Sequence, residues 1–380
     1  MYDFVVVGAG LSGVVIAERV AQKGKKVLLI DKRTHIGGNC YDYWDKNGVC
    51  VHRYGPHLFH TTQKKVWDYL SAFTEWNNYS HRVLAQVDGK KVPLPVNLNT
   101  IDALFSTRYA GSIKSALIDE FGFGAKVPIL ELRKSDKSQL KMFAEYVYEK
   151  IFLNYNLKQW GMKPEELDPT VSGRVPILVS RDDRYFRDQY QGIPKLGYTA
   201  MFGCMIKSKN INLMLNTRSD DVLDIDIERK KVKLFGKKFS GNVIYTGMID
   251  ELCGYKFGRL KYRSLNFEFE EIDNDFFQES MVVNYPNDYE FTRIIEAKHI
   301  YETKTLKTVI VREYPVAFKS GLNEPYYSFI TKEYVQLATK YKEYVKSLEQ
   351  LTVLGRLGNY EYYNMDQAVL NALVIFESKL

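Results

Sequence analysis

The sequence predicts an α/β protein in three parts: a parallel βαβ core, a helical layer and an antiparallel sheet. Three patterns predict it. Residues 2 to 7 and 26 to 31 are short apolar runs flanking an amphipathic stretch, 11 to 23, closed by Gly24, and together they read as one βαβ unit. Between about 100 and 170, apolar residues recur at the helical period, as in Leu140, Phe143, Tyr146, Val147 and Ile151. Beyond about 205, short strand-like runs dominate (Asn242 to Thr246, Tyr262 to Phe269, Ser280 to Asn284, Lys307 to Glu313) before a last helix from Met365. The order implies a discontinuous nucleotide-binding domain (1–75, 206–260, 331–380), a helical domain (100–170) and a sheet domain drawing on 76–99, 171–205 and 261–330.

In the first unit the turn is Gly8-Ala9-Gly10-Leu11-Ser12-Gly13. Gly8 permits a tight turn, Gly10 lets the backbone approach a pyrophosphate, and Gly13 lets helix and strand pack closely, while the helix N-terminus offers oriented N–H groups. Asp31 ends the second strand, where a carboxylate can accept from an adenosine ribose. A glycine turn in an unrelated α/β protein is the bland alternative, and strand, helix and acid in register argue against it. The fold class is therefore α/β with a Rossmann-like dinucleotide-binding domain.

Composition narrows the rest. The chain has 380 residues, 45% hydrophobic and 26% charged, which is ordinary globular material with room for two or three cores. No apolar run is long enough to span a membrane, and the start enters a strand without a basic leader, so a cytoplasmic protein is expected. Cys40, Cys50, Cys204 and Cys253 lack paired spacing, and His57 and His60 have no further His or Cys nearby, so neither a disulfide framework nor a metal site is expected. The net charge of +7 invites nucleic acid, a membrane surface or a small anion. Arg229 to Lys238, the densest basic run, alternates Lys with Val and Leu around Gly236 and reads as an exposed hairpin, not a nucleic-acid site. Arg174, Arg263, Arg293 and Arg356 stand instead among apolar and aromatic residues, where a desolvated guanidinium needs an anionic partner. A phosphorylated small molecule fits them.

Ordered segments then carry a more specific likeness: Arg53-Tyr54-Gly55-Pro56-His57-Leu58-Phe59-His60-Thr61, Lys158-Gln159-Trp160-Gly161, Arg184-Tyr185-Phe186, Gln191-Gly192-Ile193-Pro194 and Val243-Ile244-Tyr245-Thr246-Gly247. They continue in Tyr262-Arg263-Ser264-Leu265, Thr292-Arg293-Ile294-Ile295-Glu296, Arg312-Glu313-Tyr314-Pro315, Glu324-Pro325-Tyr326-Tyr327, Gly355-Arg356-Leu357 and Tyr362-Tyr363-Asn364-Met365-Asp366. Over essentially its whole length the chain resembles the UDP-galactopyranose mutase family.

That resemblance implies FAD in its reduced form, seated by Gly8, Gly10, Leu11, Ser12, Gly13, Asp31, Lys32, Gly38, Asn39, His57, His60, Gly355, Arg356, Asn364 and Met365; the segment Gly37-Gly38-Asn39 resembles the second glycine pair of many FAD enzymes. It implies Arg174 and Arg293 as the catalytic pair on a diphosphate. Substrate contacts are implied at Tyr155, Trp160, Tyr185, Arg263, Asn284, Tyr327, Tyr362 and His81. The implied reaction is a non-redox exchange of pyranose and furanose rings on UDP-galactose, in which N5 of the reduced flavin attacks the anomeric carbon. A homodimer serving surface-polysaccharide synthesis is implied as well. Two positions depart from the family pattern: Leu178 stands where many members have a further arginine, and Asn364 where Asp is usual. They leave the sugar open among UDP-galactose, UDP-N-acetylgalactosamine, UDP-arabinose and dTDP-fucose. The rivals are an FAD-dependent oxidase, which has no need of converging arginines, and a silent nucleotide-sugar binder.

Overall fold

A computed structural model of the chain describes residues 1–166, 175–301 and 303–380, so Arg174 lies outside the described residues. The core is a five-stranded parallel sheet. Strand Phe4–Val7 pairs with Val27–Ile30 on one side and Asn242–Tyr245 on the other, with Ile211–Met214 and Leu351–Val353 at the edges. Numbered along the chain, these strands lie in the order 3-2-1-4-5, which reverses direction between strands 1 and 4 and opens a crevice at their carboxyl ends. The central strands are near-continuous Val, Leu and Ile, as a sheet covered on both faces requires. Helix Leu11–Gln22 covers one face and packs along Met365–Lys379, burying Val14, Ile16, Val369 and Leu373. The basic run Arg229 to Lys238 forms the expected hairpin, Lys231–Leu234 against Lys237–Lys238, with Phe235 and Gly236 in the left-handed region at its tip.

The second sheet has seven strands, in the order Tyr327–Ser328, Tyr262–Ile272, Thr308–Ala317, Arg293–Ile295, Val282–Asn284, Val83–Val87 and Lys90–Leu94. It is antiparallel except where Val282–Asn284 runs parallel to Val83–Val87. One expectation is corrected here: of the 171–205 segment, no described strand joins this sheet. Tyr190–Pro194 pairs instead with Phe59–Thr61 and Trp76–Asn77, because Gly192 lets the backbones close to a separation where a Cβ would stand 2.8 Å from the Asn77 carbonyl oxygen.

The helical layer includes Leu98–Leu104, Thr107–Phe121, Ser138–Val147 and Asn154–Trp160. Leu140, Phe143, Val147 and Ile151 are buried as the periodicity predicts. Between the last two α-segments the chain takes π-helical form over Tyr148–Leu153, which turns the following residues toward the seven-stranded sheet. Among the described residues no helix is long and apolar enough to cross a membrane.

Candidate cofactor and substrate site

At the carboxyl ends of the parallel strands lies a cavity of about 680 Å³. Its floor is the glycine turn. Gly8 has φ +105° and a Cβ there would stand 2.0 Å from Thr246 Oγ1; a Cβ on Gly13 would stand 1.9 Å from the Gly8 carbonyl oxygen. Gly13 therefore packs the helix onto the strand and does not line the cavity, while Gly10 and Gly38 close one wall against each other, a Cβ on Gly38 falling 2.9 Å from Gly10 Cα. Helix Leu11–Gln22 has no side-chain cap at Gly10 and no acid in its first turn, so its N–H groups stay available to an anion.

Asp31 is held at the rim by two backbone donors, Ala9 N–H at 2.7 Å and Arg33 N–H at 2.8 Å. A carboxylate keeps further acceptor sites for a ribose after both bonds. Lys32 and Arg33 share Glu324 at 3.0 and 3.1 Å, and Arg33 also donates to Asn39 at 2.9 Å. On the far wall Arg356 donates to the Tyr326 and Tyr363 carbonyls at 3.3 and 2.5 Å, and Gln367 accepts the Asn364 N–H at 2.8 Å where the last helix begins. Leu11, Ser12, Gly355, Met365 and His57 complete the lining. Burial, then the nearby His52, pushes the His57 pKa down to about 3, so this ring is neutral at pH 7.

His60 is not in that wall. Its ring stacks on Phe186 at 3.6 Å and its Nδ1 bonds Asp188, which turns it away from the cavity. Several lining residues carry no sequence signal of their own: Thr217 to Asp220, Leu223, Glu251 and Leu252. The usable clue is positional, since they follow strands Ile211–Met214 and Asn242–Tyr245, and loops after parallel strands form such crevices.

Beyond Arg356 the material changes. Tyr327 and Tyr362 stack at 5.2 Å with planes 14° apart, and Trp160 stands 6.4 and 6.2 Å from them. The Arg356 guanidinium carbon lies 4.8 Å from the Tyr327 centroid, and that of Arg263 lies 4.6 Å from Tyr327 and 4.4 Å from Trp160. Arg263 is 6% exposed and donates to the Gln159 main-chain and side-chain oxygens at 3.2 and 3.1 Å; Gln159 in turn donates to the Tyr155 hydroxyl at 2.9 Å. Arg263 thus lies beneath the rings and holds them. Among the described residues, neither Arg263 nor Arg356 forms an ion pair.

Strand register supplies the last row. Asn284 pairs with Arg293 and Arg293 with Glu313, which puts the three side by side across neighbouring strands. Arg293 donates to Glu313 at 2.7 Å, and Glu313 is fully buried. Burial works against the Arg293 charge, yet Glu313, then the Tyr155 and Tyr327 hydroxyls, hold its pKa above the ordinary arginine value. Burial also raises the Tyr155 pKa, so that hydroxyl stays protonated. Arg263 Nε, Arg293 Nε and Asn284 Oδ1 are buried without a hydrogen-bond partner among the described residues. Each such group is free to meet a ligand's polar atom. Tyr185 flanks the cluster, its N–H bonded to the His81 carbonyl at 2.8 Å. His81 is 4% exposed, its pKa is pushed down to about 3 by burial and then by Arg293, and it packs behind Tyr185 and Phe186.

Fold and cavity define a Rossmann-type dinucleotide-cofactor enzyme. Residues 6–73 match the model of the NAD(P)-binding Rossmann-like domain, and residues 150–362 match that of UDP-galactopyranose mutase. The chain is 35% identical over 387 aligned residues to UDP-galactopyranose mutase of Mycoplasma pneumoniae, covering 100% of this chain and 96% of that one. It is 33% identical to dTDP-fucopyranose mutase of Escherichia coli, covering 98% and 97%. A crystal structure of reduced UDP-galactopyranose mutase shares the fold, with TM-score 0.77 at 16% identity over 99% of this chain and 93% of the other. The chain belongs to the UDP-galactopyranose mutase family, whose members are isomerases.

Proposed function

We propose that the chain binds FAD in the 680 Å³ cavity and, with the flavin reduced, interconverts UDP-galactopyranose and UDP-galactofuranose. The observation that carries this reading is Arg356, which lines the cavity and also lies against the Tyr327–Tyr362 stack, so that a cofactor in the one and a nucleotide sugar on the other would meet. The glycine cradle and the uncapped helix end fit a pyrophosphate, and Asp31 fits a ribose.

Bound reduced FAD supplies a nucleophilic N5 for the anomeric carbon. The rest falls to the chain's own side chains. Arg293 and Arg356 stabilise negative charge on the departing diphosphate, with Arg174, outside the described residues, proposed beside them. Tyr155, Tyr185, Tyr327 and Tyr362 offer hydroxyls to phosphate and sugar oxygens. Trp160 and the stacked tyrosines hold the sugar in place and keep water off the reacting carbon. Because Glu313 already takes one Arg293 amino group, Arg293 acts with a fixed guanidinium and loses little freedom on binding.

The test is chromatographic. Purified protein reduced with dithionite is expected to convert UDP-galactopyranose to the furanose, and a reduced, FAD-loaded protein that forms no furanose overturns the proposal. Arg174→Ala is expected to abolish turnover while FAD stays bound. The fucose-nucleotide mutase among the relatives supports a second sugar, so dTDP-fucopyranose belongs in the same panel. On family likeness alone we also infer a cytoplasmic homodimer in polysaccharide synthesis, checked in its assembly by sedimentation equilibrium.

A further inference from the structure

The wall that carries His57 is braced from behind by a second histidine. His52 ends the strand Cys50–His52 and is 3% exposed. Its Nδ1 accepts the main-chain N–H of His57 at 3.2 Å, and its Nε2 lies 3.3 Å from the Tyr301 hydroxyl oxygen. Since Nδ1 accepts, the proton of the neutral ring sits on Nε2 and is donated to Tyr301. The Tyr301 hydroxyl is hydrogen-bonded in turn to the Cys50 thiol. Asp42 comes within 4.8 Å of Cys50 and His52, and its carboxylate accepts the N–H groups of Tyr198 at 2.6 Å and Thr199 at 2.8 Å. His57, His52, Tyr301 and Cys50 thus form a continuous hydrogen-bonded strut. Burial pushes the His52 pKa down to about 4, consistent with a neutral ring.

The strut has a consequence at the cavity. His57 Nδ1 lies 2.9 Å from the Gly55 carbonyl oxygen, which assigns its proton to Nδ1 and leaves Nε2 an acceptor on a ring that lines the cavity. Gly55, with φ +89°, allows the sharp turn on which that ring sits. An apolar side chain at position 52 would fill the space but leave a buried donor, the His57 N–H, without its acceptor and the Tyr301 hydroxyl oxygen without its donor.

We propose that His52 is a positioning residue of the cofactor site: by accepting from the His57 N–H and donating to Tyr301 it fixes the Gly55–His57 turn, so that His57 presents an acceptor nitrogen to a hydroxyl or N–H of the bound dinucleotide. This rests on FAD occupying the cavity.

The experiment compares side chains that reproduce one half of the imidazole. An Asn amide oxygen reaches the position of Nδ1, and a Gln amide reaches that of Nε2. FAD dissociation constants from flavin-fluorescence quenching are expected to stay within about threefold of the parent in His52→Asn and to rise about tenfold or more in His52→Gln and His52→Leu, the scale of one lost buried hydrogen bond. The visible absorption band of the bound oxidised flavin is expected to shift in the Gln and Leu proteins and to return to the parental position in the Asn protein. A purely structural histidine would lower urea stability in all three without sorting their flavin spectra. Equal FAD affinity and an unshifted band in Asn and Gln proteins overturn the inference, and this pair decides even if the Leu protein does not fold. A parent that takes up no FAD overturns the proposed function and this inference with it; a parent that binds FAD beside variants that bind equally well overturns this inference alone.

Discussion

The dinucleotide cavity and the arginine–tyrosine cluster meet at Arg356, yet they are built from different material. The cavity is made chiefly of main chain: glycine turns, an uncapped helix end and a carboxylate pinned by two N–H groups. The cluster is made of side chains from distant segments, 155–160, 263, 284–293, 313, 327 and 356–362, brought together by sheet register and ring stacking. The first should resist most changes of side chain but not an added methyl group. The second should tolerate backbone-neutral changes but not the loss of a charge.

The sharpest way to break that contrast is at Gly13. Gly13→Val places atoms against the Gly8 carbonyl oxygen, where a bare Cβ already falls at 1.9 Å. FAD uptake is expected to be lost and urea stability to fall by about 3 kcal/mol or more; a yellow, stable variant would show that the turn has slack. Next is Arg293→Ala, which leaves the buried Glu313 without its counter-ion and is expected to cost about 3–5 kcal/mol. The double variant Arg293→Met, Glu313→Gln is expected to recover most of that stability and none of the turnover. If turnover returns with stability, Arg293 serves only the fold.

Acid sensitivity comes third. His52, His57 and His81 have pKa values held down to about 4, 3 and 3 by burial, against about 6.5 when unfolded. Between those values the unfolded chain binds protons that the folded chain does not, so their stabilisation is complete above about pH 6.5 and is lost as pH falls. Urea midpoints are expected to drop from pH 7 to pH 5, each histidine contributing on the order of 1–2 kcal/mol. His81→Gln, behind the cluster, is expected to flatten that slope without changing FAD affinity; an unchanged slope would place the acid sensitivity elsewhere. A milder probe is Arg356→Lys, which keeps the charge but not the planar fork reaching the Tyr326 and Tyr363 carbonyls. FAD affinity and turnover are each expected to fall about tenfold, and a loss confined to one readout would assign Arg356 to one region alone. Smallest is Gln367→Ala at the start of the last helix, about 0.5–1 kcal/mol by thermal melting with turnover unchanged.

How much of this was legible in the sequence follows the same division. The βαβ unit was readable because its pieces are contiguous: an apolar strand, a glycine turn, an amphipathic helix and an acid lie within some thirty residues, and each obeys a local rule of period or backbone freedom. The roles ascribed to Gly8 and Gly13 are visible as close approaches to Thr246 and to the Gly8 carbonyl. Strand Ile211–Met214 gave no such signal, since two of its four residues are well exposed at the sheet edge and no turn motif marks it. The lining that follows it, from Thr217 to Asp220, went unread for the same reason. Neither the stacking of His60 on Phe186 nor the burial of His81 could be inferred, because each depends on which distant ring arrives beside it.

By itself the sequence determined the βαβ turn, the helical period, the exposed basic hairpin and, through ordered motifs, the family. Tertiary structure alone decided which arginine has a carboxylate and which, among the described residues, does not, since strand register sets Glu313 beside Arg293 and leaves Arg356 to carbonyls and rings. It alone decided which ring nitrogen of His57 is engaged by the Gly55 carbonyl and which is left toward the cavity. Period and propensity act over a few residues, whereas register, burial and tautomer are set by neighbours hundreds of residues away, and only the closed fold brings them into contact.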